Sequence, residues 1–96
     1  MYWILDITRA EDEGSTYDEC VTECKNIEEL KEYIKRELND FYECRSDYGN
    51  PINSIINKMT SRKDLVNLIE DYNYLVYFSL DAANDAYKRT KEEINS

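Results

Sequence analysis

Residues 17–25, Tyr-Asp-Glu-Cys-Val-Thr-Glu-Cys-Lys, decide how this chain starts to fold, because they read two ways. As a strand, Cys20, Thr22 and Cys24 share one face while Glu19, Val21 and Glu23 share the other. As a helix, Tyr17, Cys20, Val21 and Cys24 fall on one stripe, and Thr16 with Glu19 forms a capping box. The strand reading is favoured, because it makes the segment the return arm of a hairpin. The outgoing arm is residues 2–9, Tyr-Trp-Ile-Leu-Asp-Ile-Thr-Arg, where Trp3, Leu5 and Ile7 alternate onto one face. Between them Glu11 to Thr16, with Gly14 and Ser15, reads as a turn.

Downstream the pattern turns helical. Asn26 reads as an N-cap with Glu29 three residues on. Ile27, Leu30, Ile34, Leu38 and Phe41 then keep one stripe, predicting a helix over about 27–43. Glu28–Lys31, Glu32–Lys35 and Glu32–Arg36 support its exposed side. Ser46 to Pro51 reads as a loop. Ile52, Ile55, Ile56 and Met59 follow as a short helix started by Pro51. Ser61 and Asp64 suggest a fresh cap for Leu65, Leu68, Ile69 and Tyr72, as one bent helix with the preceding stretch or as two. Tyr74 to Leu80 is apolar on both faces and reads as a central strand. Asp81 then caps a last helix carrying Ala82, Ala83, Ala86, Tyr87 and Ile94. The order is β-β-α-α-β-α, a small sheet of about three strands with helices packed on it: an α+β fold in a single acidic domain, residues 1–96.

Charge is distributed unevenly over this pattern. The formal net charge is −9, and residues 1–24 hold −6 of it: Asp6, Glu11, Asp12, Glu13, Asp18, Glu19 and Glu23 against Arg9 alone. Such a surface repels nucleic acid and anionic lipid but attracts basic protein surfaces. Asp6 interrupts the first apolar stretch and no basic segment precedes it, so no signal peptide is read. The longest apolar run, Tyr74 to Phe78, falls far short of the ~20 residues of a membrane span. A cytoplasmic protein with reduced Cys20, Cys24 and Cys44 is expected.

Catalytic motifs are not found. The chain has no histidine, which removes the commonest general base and metal ligand. Cys20 and Cys24 lie in the most acidic stretch, which blunts a thiol nucleophile, so they read as small apolar filler. Three cysteines fall one ligand short of a structural zinc site. Counting back from Gly14 puts Arg9 at the first position of an EF-hand loop, so that motif fails. Gly14 and Gly49 stand alone, so there is no phosphate loop. Neither enzyme activity nor a cofactor or metal is expected.

The acids instead suggest a nucleic-acid mimic. On a strand, Glu19 and Glu23 share a face on which alternate residues are about 6.6 Å apart, twice the ~3.3 Å rise, close to a phosphate repeat. Glu11, Asp12 and Glu13 extend the row, with Asp18 beside it. Tyr17 serves as an exposed aromatic anchor, as Tyr42 and Tyr48 could.

In size, charge and Tyr/Asn/Lys/Ile bias the chain resembles small acidic inhibitors made by bacteriophages, of the anti-CRISPR and anti-restriction type. That resemblance is carried by composition and not by a motif. It implies a stoichiometric inhibitor, acting in the bacterial host cytoplasm on a basic nucleic-acid-binding protein or nuclease complex, with no direct contact to nucleic acid or membrane. The alternative is an acidic regulatory or structural module. It would bind through an apolar or tyrosine surface around Tyr72, Tyr74 and Tyr77, with a homodimer possible through helical stripes or a strand edge.

Overall fold

The structure is a computed structural model that describes residues 1–39 and 52–95. The fold is α+β: a three-stranded antiparallel open sheet carrying helices on both faces. The elements are β1 (Tyr2–Asp6), α1 (Ile7–Ala10), α2 (Tyr17–Cys20), β2 (Val21–Cys24), α3 (Ile27–Leu38), α4 (Ile52–Lys58), α5 (Arg62–Glu70), β3 (Tyr74–Tyr77) and α6 (Leu80–Asn95). The end of the expected 27–43 helix, the 46–51 loop, Tyr42, Cys44 and Tyr48 lie outside the described residues.

The sheet order is β2-β1-β3. Alternation along β1 divides the core in two. Ile4 packs with Leu30, Ile34, Leu38, Ile56, Leu65 and Ile69 from α3, α4 and α5. Leu5 packs with Ala10, Cys20, Val21, Ala83 and Ala86 from α1, α2, β2 and α6. Each fully buried aliphatic side chain contributes roughly 1.5–3 kcal/mol. Trp3 and Ile7 join Leu5 on the α6 side, so the alternation expected of residues 2–9 holds. The strand itself stops earlier. The Asp6 carboxylate accepts the Arg9 N–H at 3.1 Å and caps a single helical turn.

Three sequence expectations are corrected. Residues 17–25 are neither all strand nor all helix: α2 takes the first four residues and β2 the next four. Thr16 Oγ1 donates to the Glu19 carboxylate at 3.0 Å, and Cys20 is buried beneath α6. This local geometry favours a turn of helix before the sheet takes over at Val21. β3 is an edge strand, not the central one, which is β1. It is apolar on both faces because helices cover both faces of the sheet. The cap of α6 is Ser79 rather than Asp81: Ser79 Oγ accepts the Ala82 N–H at 3.2 Å.

The open alternative between α4 and α5 resolves into two helices, Ile52–Lys58 and Arg62–Glu70. At α3 the expected cap forms: Asn26 Oδ1 accepts the Glu29 N–H at 2.9 Å, and the Glu29 carboxylate accepts the Lys25 N–H at 2.6 Å. Asn73, at φ +71°, turns the chain from α5 into β3, and its amide donates to Thr8 Oγ1 at 3.0 Å.

Candidate acidic interface

The N-terminal acids do not form a single row. Glu11, Asp12 and Glu13 are exposed in the turn after α1, Asp18 and Glu19 are exposed on α2, and only Glu23 lies on β2. The alternating strand spacing that would match a phosphate repeat is therefore not made. Glu11, Asp12 and Glu23 line three different clefts, between which no lining residue is shared.

The most acidic of these is an open groove of about 390 Å³ between β2 and α3. Glu28, Glu29 and Glu32 reach it from the first half of α3, while Glu23 borders it at the β2 edge, on the sheet face that carries Val21 and Trp3. Arg36 is the one cation in its lining, and its guanidinium stacks over the Tyr33 ring at 5.4 Å. Glu32 also pairs with Lys35 at 3.2 Å. Both Tyr33 and Cys24 close the floor. Burial, reinforced by Glu29 and opposed by Arg36, pushes the Cys24 thiol up to about 11, so it is a poor nucleophile. Burial and then Glu37 push the Tyr33 phenol upward as well.

In sequence, Glu28 and Glu32 read as exposed helix surface and Glu29 as the partner of the Asn26 cap. Their i, i+1, i+4 spacing is visible in the sequence, but the groove they line with Cys24 and Tyr33 forms only where α3 packs beside β2, which helical periodicity does not encode.

The acidic turn is anchored rather than loose. Late in α6, Lys91 Nζ donates to the Asp12 carbonyl and to Ser15 Oγ, both at 2.6 Å. Ser15 Oγ in turn donates to the Asp12 carbonyl at 2.7 Å and accepts from the Cys20 thiol at 3.3 Å. The Tyr87 hydroxyl donates to the Ser15 carbonyl at 3.4 Å. The Asp12 carboxylate accepts the Gly14 N–H at 3.1 Å.

A serine and a lysine at this distance invite a nucleophile–base reading. The environment argues for a clamp instead: Ser15 is only 8% exposed, and none of the three clefts reaches it. On the opposite side of the turn, Arg9 pairs with Asp6 at 4.0 Å and donates to the Glu19 carbonyl at 3.4 Å.

Tyr17 is half-buried, not the exposed anchor expected of it. Its ring meets Tyr87 edge-on at 5.3 Å, and its hydroxyl is buried without a hydrogen-bond partner. Burial, then Asp18 and Glu23, raise its phenol. The tyrosine surface around Tyr72, Tyr74 and Tyr77 also turns inward. Tyr74 is buried, with its hydroxyl donating to Glu37 Oε2 at 3.5 Å, and the other two are half-buried. Among the described residues, the large apolar side chains that face outward are Met1, Phe78 and Leu80, at 54%, 55% and 48% exposure, together with Ile55.

Cys20 and Cys24 are both free and buried, on opposite faces of the sheet. Among the described residues, no three His, Cys, Asp or Glu side chains are placed to hold a metal ion, and no helix is long and apolar enough to cross a membrane. The chain matches no protein family, no curated protein and no solved structure.

Proposed function

We propose that this chain is a non-enzymatic, stoichiometric inhibitor that binds a basic surface of a nucleic-acid-handling complex, acting as the phage-made inhibitors it resembles do. The observation that carries this reading is the β2–α3 groove, where Glu28, Glu29 and Glu32 face one stacked arginine and Glu23 borders the β2 rim. The acid of the N-terminal segment is thus continued onto Glu28 and Glu29 at the start of α3, while Glu32 is partly neutralised by Lys35 at 3.2 Å. Asp18 and Glu19, on the helical turn leading into β2, extend the anionic surface beyond the groove.

A partner's lysines and arginines would enter the groove against Glu23, Glu28, Glu29 and Glu32, while Glu11, Asp12 and Glu13 supply the longer-range field. Exposed charges of this kind set association rate and salt sensitivity more than static affinity. Mimicry here means an anionic surface of suitable charge density, without a phosphate-like repeat.

The test is capture from bacterial lysate on the immobilised chain at low and at high salt. A nuclease or other nucleic-acid-binding complex should be held at low salt and released at high salt. The E23Q/E28Q/E29Q/E32Q variant should lose it. A partner held equally well at both salts, or held equally well by the variant, would overturn the reading.

A further inference from the structure

We propose that the outer edge of β3 is the pairing interface for a second copy of this chain, joined antiparallel about a twofold axis at Val76. The inference goes beyond the acidic-partner reading and does not depend on it.

The two edges of the sheet are treated differently. Ile7 N–H donates to the Asn73 carbonyl at 3.2 Å, which continues the β1–β3 ladder past Leu5↔Leu75 and Trp3↔Tyr77. Antiparallel pairing alternates its hydrogen bonds, so the main-chain groups of Tyr74, Val76 and Phe78 turn away from β1. Among the described residues no turn, loop or cap bond takes them up. By the same alternation, β2 turns Val21, Glu23 and Lys25 outward. That edge is blunted three times over. Val21 N–H is taken by the Tyr17 carbonyl, Lys25 N–H by the Glu29 carboxylate, and the residue between them is a charged glutamate. Edge strands ordinarily carry such protection, or a proline or lysine, to prevent pairing. Tyr74 to Leu80 carries no charge and no proline, and it leads into the exposed Phe78 and Leu80.

The charges flanking β3 select a second copy as the occupant. α5 runs into β3 through a three-residue turn, so its two ends lie over opposite ends of the strand. Arg62 stacks over Phe78 at 4.9 Å, which places it and Lys63 at the far end. Glu70 and Asp71 lie at the Tyr74 end. Antiparallel pairing with Val76 opposite its own counterpart sets Tyr74 of one copy opposite Phe78 of the other. The cationic end of each α5 then meets the anionic end of the other, twice by symmetry. The same register keeps matching sheet faces together and forms about six main-chain hydrogen bonds.

The experiment is sedimentation and light scattering of the full chain from low to high micromolar concentration. The expected mass at the upper end is twice the 11.5 kDa of one chain. Phe78→Pro removes an outward N–H that β1 does not use and should weaken the dimer at least tenfold. A charge swap gives an independent readout. The R62E/K63E and E70K/D71K variants, all at exposed positions, should each be monomeric alone and form a heterodimer when mixed. A wild-type chain that stays monomeric throughout would overturn the proposal. So would a dimer indifferent to Phe78→Pro, or swap variants that fail to associate on mixing while circular dichroism shows both folded.

Discussion

Replacing Lys91 by methionine keeps the aliphatic stem and removes the ammonium that holds the acidic turn to α6. Two short hydrogen bonds are lost, to the Asp12 carbonyl and to Ser15 Oγ. In protected settings, hydrogen bonds to charged groups contribute about 1.5–3 kcal/mol each. Lys91 is half-exposed, and water can replace part of what it loses. Ser15 Oγ also keeps its bonds to the Asp12 carbonyl and the Cys20 thiol, so the substitution strands no buried hydroxyl. The net cost is therefore about 2 kcal/mol, below the ~3 kcal/mol that two such bonds contribute at their weakest when protected from water. For a domain of this size that lowers Tm by about 8–16 °C. Scanning calorimetry reads the shift, and amide exchange at Gly14 and Ser15 reads the release of the turn. A drop below about 3 °C with unchanged exchange would refute the clamp, because the two bonds would then contribute almost nothing.

Other consequences follow from single groups. The Cys24 thiol binds its proton more tightly folded, at about 11 against a usual 9.0, so its contribution is complete below pH 9 and lost as pH rises toward 11. The unfolding free energy obtained from urea titration should fall across that window, by at most ~2–3 kcal/mol from this group. Tyr33 and Tyr74, raised chiefly by burial, act in the same direction. A flat alkaline limb would contradict the buried placement of all three. Asn73→Ala should cost about 1–2 kcal/mol, because alanine is strained at φ +71° and the bond to Thr8 is lost. Asn73→Gly should cost less, and the reverse order in chemical denaturation would count against the left-handed turn. Tyr17→Phe deletes a buried hydroxyl that has no partner, so stability should hold or rise by up to about 1 kcal/mol. A loss of more than that would mean the hydroxyl is bonded.

The elements most legible in sequence were those whose periodicity faces one core. Trp3, Leu5 and Ile7 alternate as read, and the stripe of Ile27, Leu30, Ile34 and Leu38 packs as read. Residues 17–25 were illegible because two local preferences meet inside them. The Glu19 and Cys20 N–H groups donate to the Thr16 carbonyl and close one helical turn, and pairing of Val21 with Leu5 extends the rest. The central position assigned to β3 failed for a tertiary reason: α5 packs on one face of β3 and α6 on the other, so this edge strand is apolar on both faces. The acidic site was half legible. The surplus of acid in residues 1–24 pointed to Glu23 at the rim of the groove, but the placement of Glu28, Glu29 and Glu32 along it follows from the packing of α3 beside β2, which helical periodicity does not encode.

The two proposals constrain each other through Glu23. Its charge guards the β2 edge against pairing and also lines the acidic groove, so the surface offered to a basic partner is one that resists self-association. In the proposed dimer the strands run β2-β1-β3-β3-β1-β2, which places the two grooves at opposite outer edges. Five inter-strand steps of about 4.8 Å separate those edges by roughly 24 Å. Such a dimer binds an extended basic surface bivalently, and the second contact becomes intramolecular. Phe78→Pro should then leave the affinity of each groove unchanged while shortening residence on a bivalent target, as surface plasmon resonance would show. If the variant instead loses affinity for a monovalent basic peptide, then Phe78 belongs to the partner site and the division of labour between the two edges is wrong.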